Sequence, residues 1–141
     1  MRTEPGLREF VDTVVSEWSH PIDHDFAMSF VASTSTDVLR TAQVDALAEG
    51  LMKVPLSAWQ EMFNSLLAYD DHVDVPRINV PALLVWGDAV PLVPRSMQEE
   101  LMRCMCCAEL VVYPGAGHTP RWELPETFAC DVAEFALDLP H

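Results

Sequence analysis

The chain has 141 residues, 50% of them apolar, which suits one globular domain with a packed core. Eight basic residues against 22 acidic ones give a formal charge of −14, which repels phosphate backbones and anionic lipid heads and so excludes nucleic acid and membrane surfaces as partners. The segment Met1 to Gly6 runs straight into an amphipathic pattern, and no apolar run approaches the roughly 18 residues needed to span a bilayer, so a cytoplasmic protein is expected.

Apolar residues recur at steps of three and four through the first half, the period of helices. Leu7, Phe10, Val14 and Trp18 make one face, opened by Pro5 and broken at His20-Pro21. A short helix is expected from Asp25 to Ala32 and a loop from Ser33 to Thr36. Val44, Leu47 and Leu51 mark another face. The best helix of this half spans Pro55 to Ala68, with Leu56, Trp59, Phe63 and Leu66 on one stripe and Ser57 and Gln60 spaced as a capping box. His20, His24 and His72 lie in polar or turn contexts and are expected to be solvated.

After Asp70 the composition turns polar and closes on proline, placing a boundary near Pro76 between a helical region, 1–76, and a second region, 77–141. Pro81 to Gly87 is a continuous apolar run stopped by glycine, as in a strand buried on both faces. A helix follows from Pro94, with Met97 and Leu101 on one side and Gln98, Glu99 and Glu100 solvated. The cysteines at positions 104, 106, 107 and 130 have neither zinc-knuckle nor thioredoxin-type spacing; reduced, mostly buried thiols are expected, and no metal or cofactor. Glu109 to Tyr113 makes a second strand, and a last helix runs from Pro125 to about Leu137 with Phe128, Val132 and Phe135 inward. The order strand, helix, strand, helix implies an α/β unit with parallel strands and a right-handed crossover. Two parallel strands with apolar faces do not make a stable sheet alone, so either the helical half packs on them in an unusual way or further strands come from another copy or a complementing chain.

Gly115-Ala116-Gly117-His118 follows directly on the second strand, which sets the imidazole at the carboxyl edge of the sheet, where open α/β folds gather ligands. Imidazole titrates near neutral pH, as a general base must, although a loop histidine making a structural hydrogen bond has the same local spacing. The run Val80 to Asp88, followed by Pro91 to Pro94, Val112 to His118 and Trp122 to Pro125, resembles the α/β-hydrolase family over about residues 76 to 138. The helices before Pro76 resemble that family's cap, with a far weaker signal.

The resemblance implies a partial α/β-hydrolase fold, a helical cap region followed by the carboxy-terminal part of the core, with His118 as the triad base. Such enzymes use a serine in a G-x-S-x-G elbow, and the glycines at 6, 50, 87, 115 and 117 cannot assemble one. The position two residues beyond Asp88, where the family usually carries its acid, is Val90, leaving Asp88 or an upstream residue as the acid. Trp122 and Trp59 are the candidate substrate-pocket residues, while Glu123 resembles a structural residue of the family. Cys106 and Cys107 are weak nucleophile candidates, since nothing in the sequence near them lowers a thiol pKa. The implied function is hydrolysis of a small ester, lactone or similar apolar substrate, with the chain inactive until its missing half completes it. The alternative is a shortened, non-catalytic relative that serves as a binding or dimerisation module.

Overall fold

The computed structural model describes residues 5–18, 20–36, 39, 41–69, 71–89 and 93–139, with the side chains of residues 5–7, 71 and 72 excepted. Val90 and the side chains of Leu7 and His72 thus lie outside the described residues. The chain divides into two compact units, one of residues 1–31 and 41–71, the other of residues 32–40 and 72–141.

The first unit is helical: α1 (Pro5–Thr13), a 3-10 turn (Val15–Glu17), the larger part of α2 (His24–Thr34), α3 (Thr41–Met52) and α4 (Leu56–Ala68). Its core gathers Val11, Val15, Ile22, Ala27, Ala48, Trp59 and Phe63, with Phe10, Trp18, Phe26 and Phe30 packed against it. The rings meet mostly edge to face, Trp18 lying 5.0 Å from Phe26 and 6.0 Å from Trp59 between centroids. In this geometry the positive edge of one ring faces the negative face of the next.

Three expectations for this unit are corrected. Val11 and Val15 are the deepest residues of the first segment, whereas Val14 is only partly buried, because the helix tightens into a 3-10 turn whose period of three rotates the face. Helix α2 continues through Thr34, two residues past its expected end, into the segment expected to be a loop. The capping box is not formed: α4 begins at Leu56 with Pro55 at its N-cap, and Gln60 Nε2 donates instead to the Trp18 carbonyl at 3.0 Å. On the α4 stripe Trp59 and Phe63 are buried, while Leu66 is 50% exposed.

The second unit holds α5 (Asp71–Asp74), a 3-10 turn (Val75–Arg77), β1 (Ala82–Gly87), α6 (Arg95–Cys104), β2 (Ala108–Tyr113), α7 (Pro120–Glu123) and α8 (Pro125–Leu137). Strands β1 and β2 pair in parallel, in register from Ala82 opposite Ala108 to Gly87 opposite Tyr113. This is a strand, helix, strand, helix unit with parallel strands. Residues 32–40 group with this unit, ahead of the boundary expected near Pro76, and Thr36 among them is bonded to Glu123.

Burial in this unit is shallow. Ala82 to Val85 are only half-buried rather than covered on both faces, and Val132 on α8 is 40% exposed rather than inward. Among the described residues each strand has one neighbour, so half of each strand's backbone edge and much of its side-chain surface lack cover. Gln98, expected to be solvated, is buried on α6, the helix that packs on β2.

Trp59→Ala should lower the unfolding free energy by about 3–5 kcal/mol, and Leu66→Ala by under about 1 kcal/mol. Urea denaturation of both variants checks this; equal losses would contradict the placement of the core on the Trp59 side of α4.

Candidate active site

Because the two strands end level, the chain leaves the sheet at Asp88 and at Pro114 side by side, and hydrogen bonds tie the two exits together. Asp88 N donates to the Tyr113 carbonyl at 3.4 Å, Ala89 N to the Ala116 carbonyl at 2.9 Å, and Gly115 N to Asp88 Oδ1 at 2.7 Å. Gly115 sits at φ 76°, a conformation that favours glycine. A Cβ on Gly87 would lie 2.1 Å from the Gly117 carbonyl oxygen, so only glycine lets the end of β1 approach this turn.

Past the turn, Glu123 carries the geometry. Its side chain is buried, and its carboxylate accepts Gly117 N at 2.9 Å, Thr36 N at 3.4 Å and the Thr36 hydroxyl. Next to it His118 N donates to the Thr34 carbonyl at 2.8 Å. A buried carboxylate needs such donors, and each bond shortens the freedom of the turn that bears His118. A Cβ on Gly117 would come within 2.5 Å of Glu123 Oε1 and 3.0 Å of the Thr34 carbonyl oxygen, so the site also requires glycine there.

The His118 imidazole is held out on this turn and is exposed. Partial burial of the ring, and then the Arg121 guanidinium, push its pKa below the ordinary histidine range, so the neutral, proton-accepting form persists to lower pH. No hydrogen bond from the described residues reaches the ring. Asp88 lies at the neighbouring strand end, but its Oδ1 is engaged by Gly115 N and the structure does not join it to the imidazole. Val90, at the other candidate acid position, is outside the described residues.

Trp122 is 42% exposed, with the Arg121 guanidinium carbon 5.5 Å from its ring centre. Trp59 belongs to the other unit and is 4% exposed within the aromatic core, its Nε1 donating to the Leu51 carbonyl at 3.4 Å. The thiols correct an expectation: Cys106, Cys107 and Cys130 are exposed and Cys104 is half-buried. The contact with Cys106 pushes the Cys107 thiol up, which weakens it as a nucleophile. Among the described residues no group of three or more His, Cys, Asp or Glu is placed to hold a metal ion. Tyr113, the last residue of β2, donates from its hydroxyl to Asp131 on α8; burial first, then this bond, push its pKa up to about 12. Sequence reasoning missed this fastening and the Thr36–Glu123 bond, since neither pairing has a spacing signal.

The fold recurs in solved structures. Over 99% of its length the chain matches an α/β-hydrolase enzyme from a Medee basin deep-sea metagenome library, with a TM-score of 0.78, 22% identity and 54% of that chain covered. The chain carries part of the α/β-hydrolase-family fold. A thermophilic esterase from Thermogutta terrifontis matches 95% of this chain, with a TM-score of 0.77, 18% identity and 51% of the esterase covered. The enol-lactonase of Burkholderia xenovorans LB400 matches 94%, with a TM-score of 0.74, 17% identity and 49% of that chain covered. Among curated proteins, a pimeloyl-(acyl-carrier protein) methyl ester esterase of Neisseria meningitidis is 36% identical over 87 residues, 60% of this chain and 28% of the esterase. No family model matches the chain. The chain spans about half the length of these solved structures.

Two outcomes are expected of the segment in solution. Removing the carboxylate in Glu123→Ala leaves buried donors unpaired and should cost about 2–4 kcal/mol, with Glu123→Gln costing less because one acceptor oxygen remains. Thermal and urea unfolding read this; a loss under about 0.5 kcal/mol for the alanine variant would contradict the network. In an NMR titration, His118 should have a pKa below the ordinary histidine value of about 6.5, and Arg121→Gln should raise it. A His118 pKa above that value in the unaltered chain would contradict the placement.

Proposed function

We propose that this chain is the cap and histidine-bearing part of a cytoplasmic α/β hydrolase that acts on a small ester, lactone or similar apolar substrate by a serine route. The observation that carries the reading is the His118 turn, closed by the buried Glu123 carboxylate at the carboxyl end of a parallel sheet. In the complete enzyme a serine attacks the carbonyl, His118 takes its proton and returns it to the leaving group, and backbone amides hold the oxyanion. The lowered pKa suits this role, because a base must be neutral at working pH. Asp88 shapes the turn through Gly115 N, which favours a triad acid from outside this segment. The esterases and the enol-lactonase among the similar proteins support the substrate class. Four unpaired cysteines suit a reducing compartment, and among the described residues no helix is long and apolar enough to cross a membrane.

By itself the segment brings neither elbow nor oxyanion hole, and hydrolytic activity alone should be negligible. The half-covered strands and the exposed Val132 and Leu137 of α8 support completion by more sheet, from a second copy or a complementing polypeptide.

The experiment is to treat the purified chain with a fluorophosphonate probe, then repeat it on a polypeptide in which an in-frame G-x-S-x-G precedes these residues. The chain alone should not label; the longer protein should, and should hydrolyse an ester. In that protein His118→Ala should lower kcat by at least about 10⁴-fold, whereas Asp88→Asn should cost under about tenfold, far less than loss of a triad acid. Unimpaired turnover in the His118 variant would overturn the reading.

A further inference from the structure

Two cysteines remain outside the chemistry above. Cys106 and Cys107 form the turn between α6 and β2, both exposed, with their sulfurs 3.2 Å apart. The turn is fixed on both sides: Met105 is buried and its N–H donates to the Leu101 carbonyl at 2.9 Å, while the Cys107 carbonyl accepts Ala82 N at 2.9 Å. The two thiols thus stand on a backbone clamped by a helix end and the first rung of the sheet, a preorganised chelate.

The geometry selects among possible partners. Neighbouring Cα atoms across a trans peptide are about 3.8 Å apart, short of the roughly 4.4–6.8 Å that ordinary disulfides span, so direct oxidation of the pair is disfavoured. An atom bonded to both sulfurs at about 2.3 Å, the length of a thiolate–zinc bond, would subtend an angle of about 88°. A tetrahedral ion at the same bond length needs the sulfurs about 3.8 Å apart, and a linear two-coordinate ion needs about 4.6 Å. Zinc also wants further ligands, and the described residues offer no cluster of three. What fits is a pyramidal, thiophilic atom with bond angles near a right angle that brings its own third substituent.

We propose that Cys106 and Cys107 form a dithiol site for monosubstituted trivalent arsenicals. With an arylarsine oxide the arsenic–oxygen double bond breaks and two arsenic–sulfur bonds form. The two thiol protons leave with the oxygen as one water, and arsenic stays trivalent. The site is independent of the hydrolase reading and needs nothing beyond this chain.

The test uses the full chain, reduced, with phenylarsine oxide, read by intact mass and by titration of free thiols. One phenylarsenic group should add per chain with loss of two of the four titratable cysteines, and an excess of a small dithiol should reverse it. Cys106→Ser and Cys107→Ser should each weaken binding by about 100-fold, the gain expected from making the second bond intramolecular, while Cys104→Ser and Cys130→Ser should leave it unchanged. Unweakened binding in either turn variant, equal weakening in Cys104→Ser, or loss of two thiols without an added arsenical would each overturn the proposal.

Discussion

One buried carboxylate organises the histidine-bearing unit. Glu123 is an acceptor with no donor of its own when ionised, so its burial is tolerable only where donors converge on it. They come from two places distant in sequence: the amide and hydroxyl of Thr36 and the amide of Gly117. This requirement explains why residue 117 carries no side chain, why the last turn of α2 reaches Thr34 instead of fraying, and why residues 32–40 group with the sheet. It also decides where His118 stands, because its own amide is bound to Thr34 one step away from the carboxylate. The ring is thus left outside a network that has used its backbone.

The two units reach stability by different means. The helical unit buries aromatic rings against one another, and its core is closed by its own residues. The strand-bearing unit leans on hydrogen bonds at the carboxyl edge of the sheet: Asp88 to Gly115, Tyr113 to Asp131, Trp86 Nε1 to the Val93 carbonyl at 2.9 Å, and the Glu123 network. Among the described residues its apolar faces are half-covered. The carboxyl edge that carries His118 is therefore the most densely hydrogen-bonded part of the sheet's surroundings among the described residues.

Much of this was legible in the sequence. The apolar run stopped by Gly87, the helix opened by Pro94, and the second strand running into Gly115-Ala116-Gly117-His118 announced a parallel pair and put His118 just past the carboxyl end of its second strand. What escaped has physical causes. The Thr36–Glu123 pairing spans 87 residues, and a single side-chain hydrogen bond across that distance leaves no periodicity. Gln98 looked like one of three solvated polar residues, yet α6 turns it toward the interior while Glu99 faces out and pairs with Arg95. Val132 and Ala82 to Val85 fit a buried pattern that the described residues only half fulfil, because the pattern records a face and not what covers it. The thiols were expected inside on composition alone, whereas a tight turn after a buried Met105 directs Cys106 and Cys107 outward.

The central claim is that this chain's own residues hold the His118 turn rigid. Amide hydrogen exchange at Gly117 tests it most directly. With Glu123 intact, the Gly117 N–H should exchange as slowly as the ladder amides of β2; in Glu123→Ala it should exchange far faster while Val111 and Tyr113, whose amides face β1, keep their protection. Rapid exchange of Gly117 in the unaltered chain, or equal protection with and without the carboxylate, would contradict the account.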